Sequence, residues 1–279
     1  MKVGIVTRSY GGMTNEETAK LMAQQGYKCT ELCFVQSDSN YWLYNGRGDI
    51  DKLNGERLSM IVRRYYMERI SVEALGCFAN CMAEDDDEFK LNIEYFEKYL
   101  QLASVVGIKN VSTECGFVPD RRGVQAHIYE KAYNRLVEFM TIMSEKCFKY
   151  GVNICIEPCV LDVIPSAKRM RDFIVQIGSK YLKVLLDPAN LIANSSEEDM
   201  FRYLAPYIGY FHGKDRKIND AYGRLLGDGD IDWAKFFALY HKYTEGVPFI
   251  VEYPNKDTAP EVYERIQKFD ELSKNIVFM

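Results

Sequence analysis

Excess positive charge, long apolar runs, a dinucleotide-binding glycine signature and a redox cysteine pair are all missing from this sequence. Each gap removes a class of function. The net charge is −5, so there is no basic footprint for a nucleic acid. No apolar stretch approaches the roughly 20 residues of a membrane span. No Gly-x-Gly-x-x-Gly follows any expected strand, which argues against an open, doubly wound sheet. The eight cysteines include no Cys-x-x-Cys pair. All but Cys147 fall in or just beyond expected strands, as small buried apolar residues do in a reducing compartment. The opening residues Met1 to Thr7 carry no apolar leader with a small-residue cleavage site and read directly as a strand. The expected address is cytoplasmic.

What is present is a repeated strand ending. Four apolar runs each close on one metal-capable side chain: Asn153-Ile154-Cys155-Ile156-Glu157, Lys183-Val184-Leu185-Leu186-Asp187, Ile208-Gly209-Tyr210-Phe211-His212 and Pro248-Phe249-Ile250-Val251-Glu252. Behind them stand the strand breakers Pro158, Pro188, Gly213 and Pro254. Short apolar runs bounded by Gly or Pro are the pattern of buried parallel strands. Each run should therefore deliver its last side chain to the same end of one sheet.

Three carboxylates and an imidazole gathered at an apolar rim repel and desolvate one another. A divalent cation relieves both penalties, because carboxylate oxygens and neutral imidazole are its natural ligands. The expected metal site is Glu157, Asp187, His212 and Glu252. Mixed oxygen and nitrogen donors favour manganese or magnesium, with zinc and cobalt open.

The remaining elements fit around these strands. Further strands are expected at Val3–Thr7, Cys29–Phe34, Ser71–Phe78 and Asn110–Cys115, the last carrying Glu114 near its end. Helices are expected at Thr14–Gln25, Gly55–Arg69, from the acidic run Glu84–Glu88 to Val106, at Gln125–Tyr150, Ala167–Ile177, Glu197–Leu204, Asp232–Tyr243 and Pro260–Lys274. The Glu84–Glu88 run reads as a solvated helix cap, and His127 and His241 as helix surface or packing residues. Eight strand–helix alternations without a linker argue for one α/β domain, a (β/α)8 TIM barrel over residues 1–279. The long loop Gln36–Lys52 holds Tyr41, Trp42 and Tyr44, which could wall a pocket or cover the barrel rim.

Taken together, Ile156-Glu157-Pro158, Leu186-Asp187-Pro188-Ala189-Asn190-Leu191, Phe211-His212-Gly213-Lys214-Asp215 and Gly227-Asp228-Gly229-Asp230-Ile231-Asp232-Trp233 resemble the xylose-isomerase-like barrel family. That family holds sugar and sugar-phosphate isomerases and epimerases, inosose dehydratases, hydroxypyruvate isomerases and an endonuclease for abasic DNA. The resemblance implies a divalent cation on Glu157, Asp187, His212 and Glu252. It also implies that Glu157 and Glu252 act as the acid–base pair of an epimerase. Asn190 stands where the family's ketose epimerases have a histidine, and Pro158 to Leu161 replace their polar residues after the first glutamate.

The chemistry expected is proton transfer beside a carbonyl, through a metal-stabilised enediolate, on a small sugar, sugar phosphate or keto-sugar derivative. Asn190, Lys214, Arg216, Glu114 and Trp42 are the candidates for substrate contact, Lys214 and Arg216 either for a phosphate or carboxylate or as loop ion pairs. A dehydratase of an inosose-like keto-polyol would use the same site. A non-catalytic sugar-binding barrel fits less well, since a mere binder has no reason to accumulate buried negative charge. An abasic-site endonuclease is disfavoured by the acidic balance and the presence of only three histidines. The partner expected is a small sugar, with no nucleic acid and no membrane; assembly into a homo-oligomer is left open.

Overall fold

The computed structural model describes residues 1–116 and 127–278. Its eight strands are β1 Val3–Ile5, β2 Cys29–Leu32, β3 Ser71–Gly76, β4 Asn110–Glu114, β5 Asn153–Glu157, β6 Leu182–Leu186, β7 Ile208–Gly213 and β8 Phe249–Val251. They pair in chain order, every pair parallel, and β1 closes on β8. This is the expected (β/α)8 barrel. The helices are α1 Asn15–Gln24, α2 Gly55–Met67, α3 Asp86–Val106, α4 Tyr129–Tyr150, α5 Ala167–Ile177, α6 Pro188–Leu191, α7 Glu197–Leu204, α8 Trp233–Tyr243 and α9 Ala259–Ser273.

Most strands stop a residue or two before the expected end, because the chain must leave the ladder to enter its loop. After β1 the backbone tightens into a 3-10 turn, Thr7–Tyr10. After β6, Asp187 caps the short α6, its side chain accepting a hydrogen bond from the Ala189 amide. After β8, Tyr253 sits at φ +77°, an uncommon conformation for a bulky residue.

The helix signals read from sequence hold where a cap defines them. Thr14 and Glu17 form a reciprocal capping box on α1. Asp85 caps α3, so the acidic run is a helix start and not a second cation site. Ser166 and Asp232 cap α5 and α8. The helix expected from Gln125 starts at Tyr129; its first two residues lie outside the described part, and His127 stands in the preceding turn rather than on the helix. His241 is on α8, paired with Asp270.

Period-two alternation in the strands splits the apolar residues into two sets. The large set packs between sheet and helices. A small set, Val6, Cys29, Ala74, Cys155, Leu185, Tyr210 and Ile250, packs inside the barrel. Two residues further along each strand is the next inward position. Those positions hold Arg8, Glu31, Gly76, Glu157, Asp187, His212 and Glu252. The barrel thus has an apolar plug with a layer of charge directly above it. Gly76 is the exception that makes room: a Cβ there would come within 2.7 Å of Glu31 Oε1 and 2.9 Å of Cys33 Sγ. All eight cysteines are free and buried, and none pairs in a disulfide.

On the outer ring, α3 and α4 are tied by Glu97, which accepts from Lys146, from Lys149 Nζ at 3.1 Å and from Tyr150 Oη at 3.0 Å. The Lys146 hydrogen bond, with the others, lowers the Glu97 carboxyl from its usual 4.5 to about 2. A depressed folded-state pKa stabilises above the unfolded value and is lost as pH falls through the folded one. Glu97→Gln should therefore cost up to about 1 kcal/mol at neutral pH, the group being solvent-screened. Urea unfolding should show the gap to wild type closing between about pH 4.5 and pH 2. A gap independent of pH would show that the ion pairs contribute nothing.

Candidate metal and substrate site

The four strand-end residues converge. One donor atom from each of Glu157, Asp187, His212 and Glu252 lies within 4.8 Å of every other, and all four residues are buried. Glu157 ends β5, Asp187 and Glu252 follow β6 and β8, and His212 stands in β7 one residue before its end.

Further residues complete the cluster, and several were not singled out from sequence. Glu31 of β2 accepts from His212 Nε2 at 2.9 Å, and also from Tyr210 Oη and Cys33 Sγ. Burial opposes charge on Glu31, but His212, Arg8 and Tyr210 hold its carboxyl below the usual range. Arg8 donates to Glu252 Oε2 at 2.7 Å. Lys214 reaches into the cluster: Nζ lies 2.6 Å from Asp187 Oδ2, 3.7 Å from Glu157 Oε1, and in closer contact with Glu252 Oε1. Asn190 donates to Glu157 Oε1 at 2.9 Å. The signal for Glu31 and Arg8 was their inward parity, two residues beyond Cys29 and Val6.

The chain's own cations balance this charge unevenly. Burial pushes the Asp187 carboxyl up to about 7, with Glu252 and Glu157 adding to the push and Lys214 opposing it. Burial would also raise Glu252, but Lys214, His212 and Arg8 hold it well below the usual carboxylate range. Burial disfavours charge on His212 and Lys214, yet the surrounding carboxylates hold both well above their ordinary values.

These residues fit a divalent ion. Among the described residues His212 Nδ1 is buried without a hydrogen-bond partner, 3.5 Å from Glu157 Oε1 and 3.9 Å from Glu252 Oε2. Its other nitrogen is held by Glu31, the carboxylate–histidine arrangement that orients an imidazole ligand. With its proton displaced, an Nδ1 lone pair aimed at three carboxylates is a ligand position that a cation would fill.

Above the cluster opens a cavity of about 450 Å³. Trp42, Tyr44, Phe78 and Tyr253 supply its aromatic lining; Glu157, Glu252, Lys214, Asn190 and Arg216 supply polar lining. Of the three loop aromatics, Trp42 and Tyr44 reach the cavity, while Tyr41 packs on Phe34 with ring centroids 6.3 Å apart. Glu114 also lines the cavity and accepts from Tyr44 Oη at 3.0 Å. Arg8 bridges the two layers, its guanidinium 5.2 Å from the Phe78 ring and 5.8 Å from Trp42. The loop after β7 is pinned by buried Asp215, which accepts from Trp233 Nε1 at 2.7 Å and the Gly227 amide at 2.9 Å. This explains the Gly227–Trp233 stretch: it anchors the loop that carries Lys214 and Arg216.

Residues 19–271 match the family model described as xylose isomerase-like TIM barrel. The chain belongs to that family. No curated protein matches the sequence. Among solved structures, a D-tagatose 3-epimerase-like protein superposes with a TM-score of 0.78 at 15% identity over 98% of each chain. The IOLI protein with a bound zinc atom gives 0.76 at 16% identity over the whole of both chains. A D-psicose 3-epimerase in the presence of D-fructose gives 0.71 at 20% identity, covering 99% of this chain and 96% of that one. At these identities the likeness establishes the fold. No helix among the described residues is long and apolar enough to cross a membrane.

If Glu31 orients His212 as a ligand, Glu31→Gln should weaken divalent-cation binding by about 10–100-fold. Titration calorimetry with manganese checks this, and unchanged affinity would remove Glu31 from the site.

Proposed function

We propose that this protein is a divalent-metal-dependent isomerase or epimerase acting on a small sugar or keto-sugar derivative. The observation that carries the reading is the convergence of Glu157, Asp187, His212 and Glu252 under an open cavity, with His212 Nδ1 unpartnered. Those four residues would hold the ion. When bound, it supplies Lewis-acid polarisation of a substrate carbonyl, which acidifies the neighbouring C–H.

The chain's own residues then move the proton. Glu157 and Glu252 come from strands β5 and β8, which are not neighbours in the barrel, and both line the cavity. A substrate carbon between them meets one carboxylate on each face. One of the pair enters as the carboxylate and removes the proton; the other enters as the carboxylic acid and returns its own to the opposite face, inverting the centre and leaving the two protonation states exchanged. Asn190 holds Glu157 in place by its amide hydrogen bond, and Arg8 does the same for Glu252. The aromatic lining from Trp42 and Phe78 excludes water from the reacting carbon and offers apolar surface to a sugar face.

A dehydratase would need one thing more, a proton donor for the departing hydroxyl. Lys214 Nζ, against Glu252 and Asp187, is a donor within reach of the same substrate. That reading predicts an absorbing enone product where the first predicts none.

The expected result is solvent deuterium entering a ketose at the carbon beside its carbonyl, read by mass spectrometry on the metal-replete protein across a ketose panel. Glu157→Gln and Glu252→Gln should each slow that exchange by at least about 100-fold. Exchange persisting at the wild-type rate in either variant would contradict the assignment.

A further inference from the structure

Arg216 is the cavity's one cation without an anion among the described residues. The other two are committed: Arg8 to Glu252, and Lys214 to Asp187 and Glu252. Arg216 is only 5% exposed and lines the cavity. Among the described residues its guanidinium makes one hydrogen bond, Nη2 to Asn190 Oδ1 at 3.3 Å. Its Nε and Nη1 are buried and have no acceptor among the described residues. Asp220, whose carboxylate feels the Arg216 charge, is held instead by Arg224.

A buried guanidinium with unfilled donors is costly, because each lost water is unreplaced. The fold does not require it. The loop is fixed without the guanidinium, through the Arg216 amide on Asp215 Oδ1 at 2.8 Å and the Asp230 amide on the Arg216 carbonyl at 3.0 Å. Asp215 in turn is clamped by Trp233. What the guanidinium lacks is a partner, and an oxyanion supplies charge and several acceptors at once.

We propose that the substrate carries one anionic substituent, a carboxylate or a phosphate, and that Arg216 binds it. This deepens the proposed function and rests on reading the cavity as a substrate site. The placement follows from the relay Arg216–Asn190–Glu157. The anion sits on one side of Asn190 and the reacting carbon, beside Glu157, on the other. A neutral free ketose leaves Arg216 unsatisfied; a keto-sugar acid or sugar phosphate of the same skeleton fills it. Asn190 becomes a positioning residue that ties recognition of the charged end to the orientation of the proton-moving carboxylate.

The test is calorimetric titration of the 279-residue chain with glycolate, inorganic phosphate and D-fructose, in wild type, Arg216→Gln and Arg216→Met. Wild type should bind glycolate or phosphate at least about tenfold more tightly than either folded variant. Glycolate alone marks a carboxylate substrate and phosphate alone a phosphorylated one; D-fructose should show no dependence on Arg216. Because an uncompensated buried charge burdens the fold, Arg216→Met should melt at or above the wild-type temperature. Equal affinity of wild type and variants for both anions overturns the proposal. A fall of several degrees in the Arg216→Met melting temperature with unchanged anion binding overturns it as well, by making the guanidinium structural. The titration needs no turnover, so its failure is separable from a failure of deuterium exchange.

Discussion

Mutual repulsion among buried carboxylates is the constraint around which this barrel is built. Glu31, Glu157, Asp187 and Glu252 all project above the same apolar plug and are almost wholly removed from water. No such layer holds together without positive charge inside it. The chain supplies part of that charge through Lys214 and Arg8, and it aims His212 Nδ1 at the carboxylates with no hydrogen-bond partner among the described residues. A divalent ion would take up the remainder and release Lys214 from its position among the acids.

Much of this was legible in the sequence because a parallel strand writes its geometry plainly. Buried strands read as apolar runs, their breakers mark one end of the sheet, and period two says which residue points inward. Glu157, Asp187, His212 and Glu252 each follow an inward apolar residue by two places, so their convergence followed from the pattern. Glu31 obeys the same rule after Cys29. It was hidden because Thr30 and Glu31 make β2 look like a half-polar strand, and its partner His212 is 181 positions away. Arg8 was hidden because the chain leaves β1 into a 3-10 turn, where strand parity is no longer an obvious guide.

Long-range pairings account for what remained unread. Asp215 stands between two basic residues in the sequence, yet it is the buried acceptor for Trp233 and Gly227. Gly229 belongs to the same anchor, since a Cβ there would come within 2.1 Å of Asp215 Oδ1. The loop aromatics divided between Tyr41 in the packing and Trp42 and Tyr44 in the cavity. Composition cannot make that division; only the course of the loop over the barrel mouth does. Asn190 gained its meaning in the same way, as the link between Glu157 and Arg216.

Everything in this site turns on a divalent cation among these four strand-end side chains. Crystals of the protein grown with manganese, with data collected to locate the anomalous scatterer, test it most directly. The expected map shows one ion per chain in contact with Glu157, Asp187, His212 Nδ1 and Glu252, and Lys214 Nζ displaced from the carboxylates. A map with no ion there, and Lys214 still bridging Asp187 and Glu252, would contradict it.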